Sequence, residues 1–263
     1  MTTGSGGLWE MCHKAGVITF VGAGGKTTAV RQVTEEIDRC GFSVIASTTT
    51  KVFPDGRFSP WQSADVPPGK ETASPCFWYA EYLEDEGKWR GPGVHTVDRA
   101  IAARRRSGGG KSRWVIEGDG ARGKKLKLWR TDEPQIPLFT ECAVLVFSSE
   151  LWGNLIREGD IHRPEIFPAL SGEVWKAAQT WAYLKISPVF NSSYQEMAWV
   201  VFSNGPVFPK APGNGMSEEA VLGRLEDLGR TEPDWLRQAG GPRHLRLAVG
   251  DAKEGRALWY DLW

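Results

Sequence analysis

Between residues 17 and 47 the spacing of the apolar positions changes twice, and the changes predict three consecutive elements. Val17 to Val21 is a near-continuous apolar run, the pattern of a strand buried on both faces. From residue 26 to 39 the apolar residues Val30, Val33 and Ile37 recur at helical spacing, and Gly41 supplies the stop. Ser43 to Ser47 is again apolar and short, a second strand. Strand, helix and strand make a βαβ unit, which implies a mostly parallel sheet. Further on, buried strands are expected at Trp114 to Ile116, Ala143 to Phe147 and Trp199 to Phe202, and helices at Val97 to Arg106, Glu173 to Leu184 and Glu218 to Leu228. Two alternating runs, His244 to Val249 and Ala257 to Leu262, surround Gly250-Asp251 and Gly255 and read as a structural hairpin on the sheet edge. The expected fold is α/β: a single domain over residues 1–263, with a three-layer, mostly parallel sheet.

The less periodic stretches are expected to decorate that sheet. Residues 1 to 7 read as a glycine-rich lead-in, and Leu8 to Lys14 as a short helical turn that packs Leu8, Trp9 and Met11. Residues 54 to 75 are rich in Pro, Ser and Gly and read as a surface loop. A hairpin follows, from Phe77 to Tyr82 and Lys88 to Arg90 around Asp85-Glu86-Gly87. Residues 54–95 are thus expected as an insertion, either over the site or on an edge. Beyond residue 205 a Pro/Gly loop is expected.

Composition narrows the class. The 263 residues carry 32 basic and 32 acidic side chains and a pI near 6.9, so no strong net field draws the chain to nucleic acid or an anionic membrane. Apolar runs are too short to span a bilayer, and the start lacks the charged and apolar parts of a secretion signal, so a cytoplasmic location is expected. Four cysteines without a C-x-x-C pair and four histidines indicate neither a zinc site nor a disulfide framework. The thirteen tryptophans are spread from Trp9 to Trp263 and read as core or groove-filling residues.

The first candidate chemistry sits where the first strand ends, at Gly22-Ala23-Gly24-Gly25-Lys26-Thr27-Thr28. Glycines permit positive φ, so backbone N–H groups can approach phosphate oxygens; Lys26 adds a charge for the terminal phosphates, and Thr27 a hydroxyl for Mg²⁺. The helix N-terminus behind them favours anions. The loop is shorter than the usual G-x-x-x-x-G-K-[ST], since Phe20 stands where that pattern has glycine. Gly22, Ala23, Gly24, Gly25, Lys26, Thr27 and Thr28 are the expected nucleotide contacts, with ATP or GTP and Mg²⁺ as ligands. The second strand runs into Thr48-Thr49-Thr50-Lys51, at the sheet edge where α/β proteins bind ligands. Thr49 is a further candidate contact, although the threonines could equally continue the strand.

The third strand ends in Glu117-Gly118-Asp119-Gly120-Ala121-Arg122. An acid at the end of a strand beside a phosphate loop supplies a hard oxygen for Mg²⁺ and a base for an attacking water. Glu117 and Asp119 share a face through the period-two alternation. Thr27 and Glu117 are the expected Mg²⁺ ligands; Lys26, Glu117 and Asp119 are the expected catalytic residues, with Asp119 as base. Arg122, Lys124, Lys125 and Lys127 would line an anionic substrate or the transferred phosphate.

These blocks together resemble the YqeC family, accessory proteins of selenium-dependent molybdenum hydroxylases. Asp132-Glu133-Pro134-Gln135-Ile136-Pro137 and His162-Arg163-Pro164-Glu165 are similar to two more blocks of that family, and the likeness covers roughly residues 17 to 170. The resemblance implies a phosphate-loop nucleotide-binding fold and a part in maturing a molybdenum or selenium enzyme, with a molybdenum hydroxylase or its maturation proteins as partners. His162-Arg163 could be catalytic, phosphate-facing or structural. After the Trp199 strand the chain reads Asn204-Gly205-Pro206-Val207, without the lysine and aspartate that would read a guanine, so the base stays open. Two rival readings remain: an ATP-dependent ligase, because the short loop also resembles that of the Mur ligases, and a non-catalytic metallochaperone or scaffold switched by nucleotide.

Overall fold

The apolar run at residues 17–22 lies at the middle of a ten-stranded sheet, and every one of its residues is buried. The computed structural model describes residues 2–69, 72–107, 112–206, 218–231, 235–236 and 241–263, the side chains of 218–222 excepted. In chain order the elements are β1 (Thr3–Gly6), α1 (Leu8–Met11), β2 (Val17–Gly22), α2 (Lys26–Arg39), β3 (Val44–Thr48), β4 (Lys51–Val52), β5 (Ser59–Gln62) and β6 (Cys76–Tyr79). Then come β7 (Glu81–Leu83), β8 (Lys88–Arg90), α3 (Val94–Arg106), β9 (Arg113–Glu117), β10 (Leu126–Lys127), β11 (Cys142–Ser148), β12 (Ile161–His162) and α4 (Ala177–Ile186). β13 (Ala198–Asn204), α5 (Glu218–Arg230), β14 (His244–Asp251) and β15 (Arg256–Asp261) complete the chain.

The main sheet runs β1-β15-β14-β13-β11-β2-β9-β3-β6-β5, and β15 alone runs against the others. Alternation along each strand divides the core between two faces. Ile18 and Phe20 of β2 pack with α1 and α2 on one side, through Leu8, Met11, Val30, Val33 and Ile37. On the other side Val17 joins Val97 and Ile101 of α3, while Val21 joins Trp181 and Leu184 of α4 and Leu225 of α5. The result is the three-layer, mostly parallel α/β sheet expected from the βαβ pattern. No helix among the described residues is long and apolar enough to cross a membrane.

Three expectations change. Residues 3–6 form an outer strand against β15, with Thr3 opposite Tyr260, so the terminal hairpin is not the last thing on that edge. Phe77 to Tyr79 belongs to the main sheet as β6, parallel to β3, and Ser59–Gln62 pairs with it as β5, where a loop was expected. Pro60 has no N–H to donate, which suits an outermost strand. The hairpin itself is therefore shorter, β7 with β8, and it takes β4 as a third strand. Only part of the 54–95 stretch stands apart from the main sheet. The glycine run 108–110 and most of the Pro/Gly loop expected after residue 205 lie outside the described residues.

This topology decides where a ligand can go. β2 leads through α2 to β3 on one side, whereas β11 and β13 lie on the other, so the direction of chain progress reverses at β2. Beyond the carboxyl ends of parallel strands at such a reversal there is a crevice. A cleft of about 1400 Å³ occupies that place.

Candidate functional site

The loop after β2 is shaped by three left-handed glycines, Gly22 (φ 100°), Gly24 (φ 77°) and Gly25 (φ 113°). A Cβ on Gly24 would sit 2.4 Å from the Ser148 amide nitrogen, so only glycine lets the loop lie against β11. Its first amides serve the protein. Gly22 N–H donates to both carboxylate oxygens of Asp119 (3.1 and 3.0 Å), Ala23 N–H to the Val146 carbonyl (2.8 Å), and Gly24 N–H to the Lys124 carbonyl (3.0 Å). Gly22 and Ala23, expected as contacts, do not line the cleft, and their amides are engaged by the protein. The next four amides, Gly25 to Thr28, carry no hydrogen bond to the protein among the described residues. They crown the N-terminus of α2, a fourteen-residue helix, where the positive end of the helix dipole would favour an anion.

Lys26 is buried, and its ammonium lies 3.1 Å from Asp119 Oδ1 and 3.9 Å from Glu117 Oε1 while donating to the Gly22 carbonyl. The two acids therefore converge on one lysine, although β9 ends at Glu117 and Asp119 lies in the loop beyond it. Their surroundings differ. Glu117 lines the cleft, and its Oε2 accepts from Thr27 Oγ1 at 2.8 Å. Burial pushes its carboxyl above the ordinary range, against the pull of Lys26 and the Thr27 hydroxyl. A cation placed against Thr27 Oγ1 and Glu117 Oε2 would supply the charge that this desolvated carboxylate lacks. The donor set, one carboxylate and one hydroxyl with room for phosphate and water oxygens, fits Mg²⁺.

Asp119 lies beneath the loop, 2% exposed and off the cleft wall. Besides Gly22 N–H it accepts from Trp129 Nε1 (2.6 Å) and faces Lys26 and Lys127 (3.4 Å). Asp119, the expected base, thus clamps the loop at Gly22 from beneath the cleft wall. Lys127, expected on the cleft wall, is fully buried; it donates to the Gly120 carbonyl (2.7 Å), lies 3.3 Å from Glu133, and burial lowers its pKa. Thr49 points its hydroxyl at the Gln135 carbonyl (3.0 Å), and Thr50 and Lys51 line the cleft in its place. Lys51 is paired with Glu86 of the small hairpin.

Arg122, Lys124 and Lys125 line the cleft as expected. Lys124 donates to the Gly159 carbonyl and Lys125 pairs with Glu150 (3.1 Å), whereas Arg122 sits at φ 50° with no ion-pair partner among the described residues. β12 lays His162 beside Lys127 through its pairing with β10, and His162 faces the cleft. Burial, then the charges of Lys127 and Arg163, lower its pKa, so the imidazole is neutral at pH 7. Arg163 is tied to Glu133. In all, nine Lys/Arg and six Asp/Glu line the cleft of a chain with no net charge.

The opposite end of the cleft joins Asn204 and Pro206, from the segment weighed as a base reader, to Asp251, expected only as part of a structural hairpin. Asn204, at the end of β13, donates from Nδ2 to the Gly24 carbonyl (2.7 Å) and accepts at Oδ1 from Ala252 N–H (2.9 Å). Asp251, at the end of β14, is buried and lines the cleft with Lys253 and Pro206. β13 and β14 pair in parallel with Asn204 opposite Gly250, which brings the Gly250-Asp251 turn to the phosphate loop. Only that pairing could have signalled the contact, and it spans nearly fifty residues of chain.

Comparison with known proteins gives one consistent result. A family model described as YqeC protein matches residues 18–165, more than half of the chain. An Escherichia coli (strain K12) protein described as "Uncharacterized protein YqeC" is 29% identical over 160 residues, 59% of this chain and 60% of its own length. The matched region thus spans about three-fifths of that relative. No solved structure matches the chain.

Proposed function

The chain belongs to the YqeC family, and from that premise we propose that it binds a Mg²⁺-nucleotide at the cleft and hydrolyses it or transfers its terminal phosphoryl group. The observation that carries this reading is the set of unengaged amides, Gly25 to Thr28, beside the Lys26–Glu117–Thr27 cluster at a helix N-terminus. Those amides and Lys26 would hold the phosphate tail and offset the charge that grows on it during transfer. Thr27 and Glu117 would hold Mg²⁺, which when bound neutralises phosphate oxygens. Asp119 acts as a positioning residue: it fixes Gly22 and aims Lys26. The family resemblance favours a place for this activity in maturing selenium-dependent molybdenum hydroxylases.

A second reading, a nucleotide-switched scaffold without turnover, is favoured by one feature. Both oxygens of Asp119 are engaged, which leaves no poised base at the expected position. Calorimetric titration of ATP and GTP, with and without Mg²⁺, into wild type and Lys26→Ala tests the common core of both. Mg²⁺-dependent binding lost in the variant is the expected result; no binding by wild type at millimolar concentration would sink both readings. Phosphate release measured in the same samples separates them.

A further inference from the structure

We propose that the end of the cleft formed by Asn204, Pro206, Asp251 and Lys253 is the base subsite, and that Asp251 selects guanine. This rests on the nucleotide reading above and names the ligand within it. The direction of the nucleotide follows from charge. Lys26, Thr27 and Glu117 suit the terminal phosphates and their cation, and they lie on the β9 side of the loop. Sugar and base must then extend the other way along the strand ends, over β11 toward β13 and β14.

Beside the exposed Lys253, the buried charge there is a carboxylate, which is unsuited to phosphate and suited to one kind of base. Asp251 is 5% exposed, and its Oδ1 accepts from the Lys253 amide (2.8 Å), which fixes the carboxylate in place. A carboxylate only accepts hydrogen bonds. Guanine presents two donors on one edge, N1–H and the exocyclic amine, at a separation that matches the two oxygens of a carboxylate. Adenine presents a ring-nitrogen lone pair and a C–H on the corresponding edge, which leaves the buried carboxylate unpaired and repelled. Pro206 adds an apolar wall. Asn204 holds this corner to the phosphate loop through its two bonds, to the Gly24 carbonyl and from the Ala252 amide, so base and phosphate subsites keep a fixed spacing.

The test is a set of calorimetric titrations with Mg²⁺ and ATP, GTP, inosine triphosphate and xanthosine triphosphate. Wild type is expected to bind GTP at least about a hundredfold more tightly than ATP, with inosine triphosphate, which lacks the amine, weaker than GTP. In Asp251→Asn the side chain presents one donor and one acceptor, which complements xanthine. GTP binding should therefore fall by about tenfold or more while xanthosine triphosphate binding rises and ATP binding stays as it was. ATP bound as tightly as GTP, or GTP affinity unmoved in Asp251→Asn, would overturn the guanine assignment and leave the nucleotide reading standing. Failure of all four to bind would overturn both. The wild-type comparison of GTP with inosine triphosphate needs no variant, so the assignment is decided even if Asp251→Asn does not fold.

Discussion

Glu117 is asked to do two things that pull against each other. Its carboxylate accepts from the Thr27 hydroxyl, yet burial makes its charged form costly, and its pKa is raised for that reason. A carboxyl whose folded pKa lies above its unfolded value binds more protons in the folded state. Its contribution to stability therefore declines as pH rises from the ordinary glutamate range through the folded pKa. Above the ordinary glutamate range the charged form carries that cost, so Glu117→Gln is expected to unfold at an equal or higher temperature than wild type while losing the Mg²⁺-dependent part of nucleotide affinity. Differential scanning calorimetry and titration on one preparation check both halves; a lower Tm together with intact Mg²⁺ dependence would refute the assignment. The position of this residue was legible, because an acid that ends an apolar strand beside a glycine-rich loop falls at the carboxyl edge of the sheet. The sequence did not separate Glu117 from Asp119. The alternation placed both on one face, and what distinguishes them is Trp129 and Lys127, which fold back over Asp119 from ten and eight residues further on.

At the scale of elements, the two ends of the chain are joined by one arginine. Arg246 of β14 makes a bidentate pair with Asp261 of β15 (2.6 and 3.0 Å), donates to the carbonyls of Glu10 and Met11 at the end of α1, and lies over the Trp259 ring. Burial would raise the Asp261 carboxyl, but the hydrogen bond and charge of Arg246 outweigh it and hold it below the ordinary range. The stability so gained is present at neutral pH and is lost as pH falls through and below the usual aspartate range. Arg246→Met should cost about 2 kcal/mol in urea unfolding at pH 7, with a smaller difference from wild type in acid. An equal deficit at both pH values would show that packing, not the pair, is what the variant lost. The hairpin of β14 and β15 and the short helix α1 were legible in this corner, but the strand that closes it was not. β1 is Thr3-Gly4-Ser5-Gly6, without an apolar residue to mark a strand, and it forms because β15 offers an unpaired edge. Gly4 allows Trp259 to lie against the backbone; a Cβ there would meet its indole at 2.4 Å. β2, α2 and β3 were legible for the opposite reason, since each carries its own periodicity.

For the whole molecule, the balance of charge hides an uneven distribution. A chain without net charge places nine cations and six anions around one cleft, so attraction for a polyanion is local and not a property of the protein's overall field. Nucleotide affinity should then fall by roughly an order of magnitude between about 0.05 and 0.5 M salt, as exposed charges such as Arg122 are screened, even though the pI predicts no such sensitivity. Titration across that range checks it; an affinity indifferent to salt would place the binding energy elsewhere than the charged wall.

Trp129 gives the molecule a property that has nothing to do with its own chemistry. Its indole N–H is bound to the same carboxylate that holds Gly22 and faces Lys26, and its ring stacks on Tyr183 at 5.9 Å. Indole emission responds to the charge and hydrogen bonding at its nitrogen, so any occupant that draws Lys26 away from Asp119 will change the colour of that light. Under the proposed function Trp129 is an optical gauge of whether the glycine-rich loop is filled, and the difference spectrum between wild type and Trp129→Phe isolates it from the other twelve tryptophans. Collections of unlabelled metabolites can be screened against it by fluorescence alone.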